Sequence, residues 1–335
     1  MIKKERQSNI ELCRLLAIIC IVLVHSVGEY IIPGQGEVAR PAYWWMAVCS
    51  SLGVLGPNIF LLISGLFSVK SKMTAYMSLL YMCLFYLFVR IVICVVTGVD
   101  IPSYTFLFVS KSNWFIPMYI GLLLLAPVLN DYIDKTDKRT LGLMTLAILV
   151  YDVWSDWYPG GLNEENGHTI INFIAMYFAG RYIGLHGVGK LVTRLAPIAF
   201  LLFVSVTSVL TFYAVQRGLD SWVIFKLSAN NCPLVMAASL SLFLTFKGMN
   251  LGHGKLINHC AKSVLGILLF HSFSVSHAFL TQHYNALYDN NQGIALFGLW
   301  MGSALMTVVV GIAIDQIRIF TYGRISKFVN CKSEN

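Results

Sequence analysis

Charge is scarce in this sequence. Only 12% of its 335 residues are Asp, Glu, Lys or Arg, where a soluble domain carries about 25%. A water-facing shell needs more ionised groups than that, and a 57% hydrophobic share leaves lipid as the solvent for much of the surface. Clustered metal ligands are missing too. The eight histidines form no HxxxH or HExxH pattern, and the eight cysteines (13, 20, 49, 83, 94, 232, 260 and 331) form no CxxC pair. That spacing argues against a zinc site, any other metal centre or a disulfide framework. The cysteines are expected as buried spectators, with one pairing among Cys49, Cys94 and Cys232 left open. The net charge of +8 is not gathered into a basic stripe with interleaved aromatics, so nucleic acid is not an expected partner.

Long apolar runs are abundant. A helix rises about 1.5 Å per residue, so about 20 apolar residues cross a hydrocarbon core about 30 Å thick. The runs predict spans near 10–30, 43–67, 75–98, 114–130, 140–155, 168–185, 195–215, 231–246, 262–281 and 293–316. Breakers such as Pro33-Gly34, Pro159-Gly160-Gly161 and Asp289-Asn290-Asn291 separate them. With these spans, the N-terminus, every second loop and the tail hold eighteen Lys and Arg residues, while the opposite loops hold four: Arg40, Lys111, Arg217 and Lys226. Inventing or missing one span would swap the sides downstream. By the positive-inside rule the chain is expected to be an all-α integral membrane protein, a bundle of about ten transmembrane helices with both termini cytoplasmic. Residues 1–335 are expected to form a single polytopic domain, with no appended soluble part. The first span is not expected to be a cleaved signal, because Arg14 and His25 bracket its apolar core.

Ionisable side chains inside a span are costly and usually face the bundle interior or a wet cavity. Those expected here are Arg14, His25, Arg90 and His271, with Asn58 and Asn172 as polar companions, while Asp152 and Asp315 fall near span ends within reach of water. Arg14 and His25 are eleven residues apart, which puts them about 20° apart in azimuth and about 16 Å apart along the axis. One helix face thus carries a cation near the cytoplasmic surface and an imidazole deeper in. Such a face suits a long anionic donor that sends its reactive end into the membrane. Acyl-coenzyme A has that shape, with phosphates, a flexible arm and a terminal thioester. Each residue also has a plainer reading, Arg14 as a snorkelling anchor and His25 as a hydrogen-bonded structural histidine.

Arg14-Leu-Leu-Ala-Ile, leading to Val24-His25, resembles the first-helix signature of the membrane-bound acyltransferase family three, the O-acetyltransferases of bacterial surface polysaccharides and related glycans. Four further stretches are similar to that family in the same order: Asn58 to Ser64-Gly65, Asn113-Trp114-Phe115 continuing to Leu125-Ala126-Pro127-Val128-Leu129-Asn130, Phe173 to Gly180-Arg181-Tyr182, and Ser263 to Phe270-His271. The resemblance implies a multi-pass enzyme of the bacterial cytoplasmic (inner) membrane. It would use acetyl-coenzyme A or another acyl-coenzyme A as co-substrate, with no tightly bound cofactor, and a glycan or lipid-linked sugar as acceptor. It implies His25 as general base or transient acyl carrier, and Arg14 as a contact to the donor phosphates or a helix-positioning charge. In place of the paired arginines that many relatives carry after Ser-Gly, this chain has Val69-Lys70-Ser71-Lys72. Lys70 and Lys72 can hold phosphate as point charges, or serve as membrane anchors. Arg90, Trp114 (sugar platform or interfacial belt) and His271 are further candidates for substrate binding. A transporter lined by His25, Arg90 and His271 is the competing reading, although no internal repeat supports it. An inactive scaffold is a third.

Overall fold

The computed structural model describes residues 7–31, 41–98, 113–162, 165–272 and 274–333. Lys3, Lys4, Arg6, Pro33, Gly34, Arg40 and Lys111 lie outside these residues, as do the side chains of Lys327, Cys331 and Lys332. Every regular element described is a helix. In chain order they are α1 (Ser8–Ile31), α2 (Trp44–Gly53), α3 (Gly56–Phe67), α4 (Met73–Thr97), α5 (Phe115–Lys135), α6 (Lys138–Asp152), α7 (Ile170–His186), α8 (Lys190–Gln216), α9 (Ser221–Leu227), α10 (Pro233–Gly248), α11 (Lys255–Cys260), α12 (Val264–His271), α13 (Ser274–Asn290) and α14 (Gly293–Ser333). A π turn, Val153–Trp157, continues α6.

Local chemistry sets the ends. Asp137 caps α6 by accepting from the Arg139 and Thr140 amides at 2.9 and 3.1 Å, and the Thr169 hydroxyl caps α7 by accepting from the Asn172 amide at 3.2 Å. Such caps satisfy N–H groups that have no partner within the helix. Pro57 and Pro233 stand in the first turns of α3 and α10, where a missing N–H costs nothing. Gly98 closes α4 in the left-handed region, at φ 69°.

Six helices, or pairs continuous across a short break, are long and apolar enough to cross a membrane: Ser8–Gly28, Trp44–Phe67, Met73–Thr97, Phe115–Lys135, Lys190–Gln216 and Gly293–Ser326. A seventh candidate is the pair Lys255–His271 and Ser276–Asn290, which meet at 82° where one span near 262–281 was expected. The expected spans near 140–155, 168–185 and 231–246 correspond to helices of 15, 17 and 16 residues. Helix α8 shows what the surroundings are. It exposes Leu191, Leu195, Ile198, Leu202 and Val209 and buries Thr207, Ser208 and Thr211. A helix that is apolar outside and polar inside inverts the soluble pattern and belongs in lipid.

The chain divides into two compact units. The first, Met1–Lys70 with Pro117–Ala261, holds α1–α3, most of α5, and α6–α11. Its centre is the crossing of α3 and α7, where a methyl group on Gly65 would overlap the Tyr177 carbonyl and one on Gly180 the Leu62 carbonyl. Backbones can meet this closely only where both helices lack a side chain. Helix α1 packs on the break between α2 and α3 in the same way. A Cβ on Gly53 would come 2.6 Å from the Cys20 carbonyl, and one on Gly56 3.1 Å from that of Ala17.

The second unit, Ser71–Ile116 with Lys262–Asn335, holds α4 and α12–α14. Its buried anchor is Asp315, which takes two hydrogen bonds from Arg318 (Nε to Oδ1 2.6 Å, Nη2 to Oδ2 3.0 Å) and one from the Tyr86 hydroxyl at 3.1 Å. Gly266 leaves room for this group, since a Cβ there would come 2.5 Å from the Tyr86 oxygen. Asp152 and Asp315, expected near water, are both fully buried. Among the loop cations counted from the sequence, Arg181, Lys226 and Arg318 are buried as well. Each is held by a protein oxygen, which replaces the water that a loop would have given it.

Gly65→Ala is expected to lower stability in detergent by about 1–3 kcal/mol through overpacking. Gly302→Ala, with nothing within 4 Å of its Cβ, leaves it unchanged or slightly higher. Thermal unfolding of the two variants checks this, and equal melting temperatures would remove the close-approach argument.

Candidate functional site

Helix α1 runs unbroken for 24 residues through both Arg14 and His25, so the register that puts them on one face holds. The Ala17, Cys20, Ile21 and Val24 stripe that packs on α2 and α3 is centred about 80° round the helix from them. Arg14 and His25 therefore sit on the flank of the packed face, and both are half-buried.

Arg14 has a defined setting within the first unit. Its Nη1 lies 3.4 Å from the Glu11 carboxylate, one turn earlier, and Glu11 is itself buried. The Tyr119 side chain of α5 lies within electrostatic reach of the guanidinium and is hydrogen-bonded to Ser64 of α3. Ser64 donates its own proton to the Phe60 carbonyl at 2.8 Å. The Ser64-Gly65 pair thus serves two purposes, the glycine closing on α7 and the serine turned towards Tyr119. Sequence reasoning missed Glu11 and Tyr119. Glu11 could have been found from its one-turn spacing to Arg14, but a tyrosine in an apolar run gives no signal.

Lys70 also belongs to the first unit. It is exposed, just past α3, where Asn130 Nδ2 holds the preceding Val69 carbonyl at 2.9 Å. Asn130 Oδ1 in turn accepts from the Tyr177 hydroxyl at 2.7 Å, and Arg181 pairs with Asp134. Three of the stretches that carry the family resemblance, Asn58–Gly65, Leu125–Asn130 and Phe173–Tyr182, therefore form one packed knot.

Lys72, Arg90, Trp114 and His271 belong to the second unit. Lys72 is exposed and Arg90 is buried on α4. Trp114 is half-buried and meets Phe115 edge to face at 5.9 Å between ring centres. Expected about halfway across a continuous span, His271 instead ends α12 and is fully buried. Its Nδ1 donates to the Ile267 carbonyl at 2.7 Å. The structure thus joins Arg14 to Ser64 and Tyr119, and places His25 on the same helix face.

The described part of the chain contains no group of three His, Cys, Asp or Glu residues able to hold a metal ion. Its seven described cysteines, Cys49, Cys94 and Cys232 among them, are free thiols. A groove of about 950 Å³, open at the side, runs along Gly142, Leu146, Tyr182, Ile183 and Leu240, with Lys138 and Arg139 at one end; none of the predicted site residues lines it.

Helices long and apolar enough to cross a membrane, with polar side chains turned inward on α8, define a multi-pass membrane protein. A family model described as an acyltransferase domain, that of acyltransferase family 3, matches residues 7–316, and the chain belongs to that family. It is an acyltransferase. The match begins just before α1 and ends just after Asp315, so it takes in every predicted site residue. No curated protein and no solved structure matches the chain.

Asn130→Ala is expected to destabilise the protein by about 1–3 kcal/mol, because it leaves the Tyr177 hydroxyl and the half-buried Val69 carbonyl unsatisfied. Tyr177→Phe removes one of the same bonds, so the double variant should cost less than the sum of the singles. Additive melting shifts would show that the two residues act separately.

Proposed function

We propose that the protein is a membrane O-acyltransferase that moves an acetyl or other short acyl group from acyl-coenzyme A to a hydroxyl of a surface polysaccharide or glycolipid precursor. The observation that carries this reading is the pair Arg14 and His25, half-buried on one face of one unbroken helix in a chain of an acyltransferase family. The six spans, or seven with the bent pair, extend to ten in this reading. Helix α6 gains the five residues of its π turn, and α7 and α10 cross as short buried helices. Without the buried Arg181, Arg318 and Lys226 the division of Lys and Arg is 16 to 3, which still supports cytoplasmic termini, and a bacterial inner membrane is the location that the family resemblance implies.

In the proposed reaction the His25 imidazole, as free base, takes the proton of the acceptor hydroxyl as that oxygen attacks the thioester carbonyl. The carbon–sulfur bond breaks as the tetrahedral intermediate collapses, and the His25 proton passes to the departing sulfur, giving free coenzyme A. Arg14 holds a donor phosphate. Its 3.4 Å contact with Glu11 is longer than a strong charge-assisted bond of about 2.7–2.9 Å, so an incoming phosphate competes for it on good terms. Lys70 and Lys72, both exposed, add point charges for the remaining phosphates. Trp114, as a stacking platform for the acceptor sugar, and Arg90 and His271 are the proposed substrate-binding residues of the second unit. The competing transporter reading loses its ground, since family membership assigns group transfer.

His25→Ala is expected to lower acyl transfer by about a hundred- to ten-thousand-fold at unchanged protein levels in the membrane. Arg14→Ala should chiefly raise the KM for acetyl-coenzyme A. The check is turnover of labelled acetyl-coenzyme A by purified protein with a glycan acceptor. Wild-type turnover in His25→Ala would end the proposed role of that residue.

A further inference from the structure

A second polar centre lies within the first unit, away from anything the proposed reaction uses. It is formed where α3 and α7 begin, where α6 passes into its π turn, and just before α10. Asp156 in the π turn is saturated. Its Oδ1 accepts from the Glu165 and Asn166 amides at 2.7 and 3.2 Å, and its Oδ2 from the Gly167 amide at 2.5 Å and Asn231 Nδ2 at 3.0 Å. The buried Lys226 ammonium donates to the Asp156 backbone carbonyl at 2.5 Å.

Asp152, one turn earlier, is not saturated. Asn172 Nδ2 donates to its Oδ2 at 3.0 Å, and Asn231 Nδ2 to its backbone carbonyl at 3.2 Å, but among the described residues its Oδ1 has no partner. Three amide oxygens share that condition. Asn58, Asn172 and Asn231 all turn their nitrogens into the network, Asn58 to the Asn230 carbonyl at 2.7 Å. Their Oδ1 atoms are buried without a donor. All four side chains are completely buried, and they come from four different segments. Two donors, Asn230 Nδ2 and Ser155 Oγ, are also unpartnered, so unmatched acceptors outnumber unmatched donors here.

Charge points the same way. Asp152 and Asp156 bring two negative charges and Lys226 one positive. His168, beside Asp156, is neutral above its ordinary pKa of about 6.5. Among the described residues one negative charge is therefore left buried, which a protein interior tolerates poorly. A water molecule would bring two donors and no charge. A proton on Asp152 would restore the charge but satisfy one acceptor only. A small monovalent cation supplies the charge and takes several oxygen ligands at once, whereas a divalent ion would overshoot the charge. The π turn beside Asp152 fits, since such bulges interrupt helices at ligand sites.

We propose that Asp152 Oδ1 and the amide oxygens of Asn58, Asn172 and Asn231 bind one sodium ion, which ties the ends of α3, α6, α7 and α10 together. The site is a stability centre separate from Arg14 and His25, so it stands or falls independently of the acyl-transfer chemistry.

The test uses the full chain in detergent at pH 8, melted in sodium, potassium or choline chloride at one ionic strength. The expected result is a saturable rise of about 5 °C in melting temperature with sodium and none with choline. Asp152→Asn should stay folded and lose the sodium response. If that variant does not fold, binding of radioactive sodium to the wild type and to Asn58→Ala decides instead, with at least a tenfold loss of affinity expected in the variant. Equal wild-type melting in sodium and choline overturns the proposal, as does an Asp152→Asn variant that keeps the sodium response. A melting temperature that follows pH and ignores sodium also overturns it, in favour of a proton on Asp152.

Discussion

The first unit depends on one contact, the meeting of α3 and α7 at Gly65 and Gly180, backbone against backbone. Lipid gives apolar helices no hydrophobic reason to associate, so close packing has to supply the attraction, and glycine allows the closest packing. The crossing also sets the direction of everything near it. With Gly65 facing α7, Ser64 is turned about 100° away, to where Tyr119 and Arg14 are found. Towards one end of the same two helices, Asn58 and Asn172 enter the Asp152 network. Towards the other, Tyr177 and Arg181 meet Asn130 and Asp134. Three polar clusters take their positions from two residues without side chains.

This explains which features could be read along the chain. The alignment of Arg14 with His25 is a property of one helix, and helical periodicity alone gives it. The break at Gly56-Pro57 is equally local, since a proline is accommodated in the first turn of a helix. The number of spans is harder, because an apolar run looks the same whether lipid or protein covers it. Helix α7 is buried on nearly all sides, so its hydrophobicity reports a core position as readily as a membrane crossing. The partners of Asp152 lie 20 and 79 residues away, and no spacing rule reaches that far. Asp315 is different. Its partner Arg318 is three residues on, the distance at which helical side chains meet, so that pair was legible and only its burial was not.

The arginines show how structural charges differ from available ones. Arg318 grips Asp315 with two prongs, both partners are buried, and Tyr86 fills a further position on the carboxylate. Arg181 is buried against Asp134. Removing the partner of either would strand a desolvated charge, so neither guanidinium is free to bind a ligand. Among the described residues Arg14 has one ion pair, the long contact to Glu11, and it keeps part of its surface open. Such an arginine gains by meeting a phosphate, because the second prong of its fork is still unused.

The same reasoning applies to histidine. His271 is completely enclosed, and its Nδ1–H is committed to a carbonyl one turn back. His25 sits on the flank of the packed stripe of α1 and remains half-buried. A ring that must take a proton from an incoming hydroxyl needs an approach path, which the helix face in contact with α2 and α3 cannot offer. The opposite face would leave the ring in hydrocarbon, with nothing to orient it. A flank position meets both requirements, and Arg14, placed three turns earlier on that flank, can steer a charged donor along it.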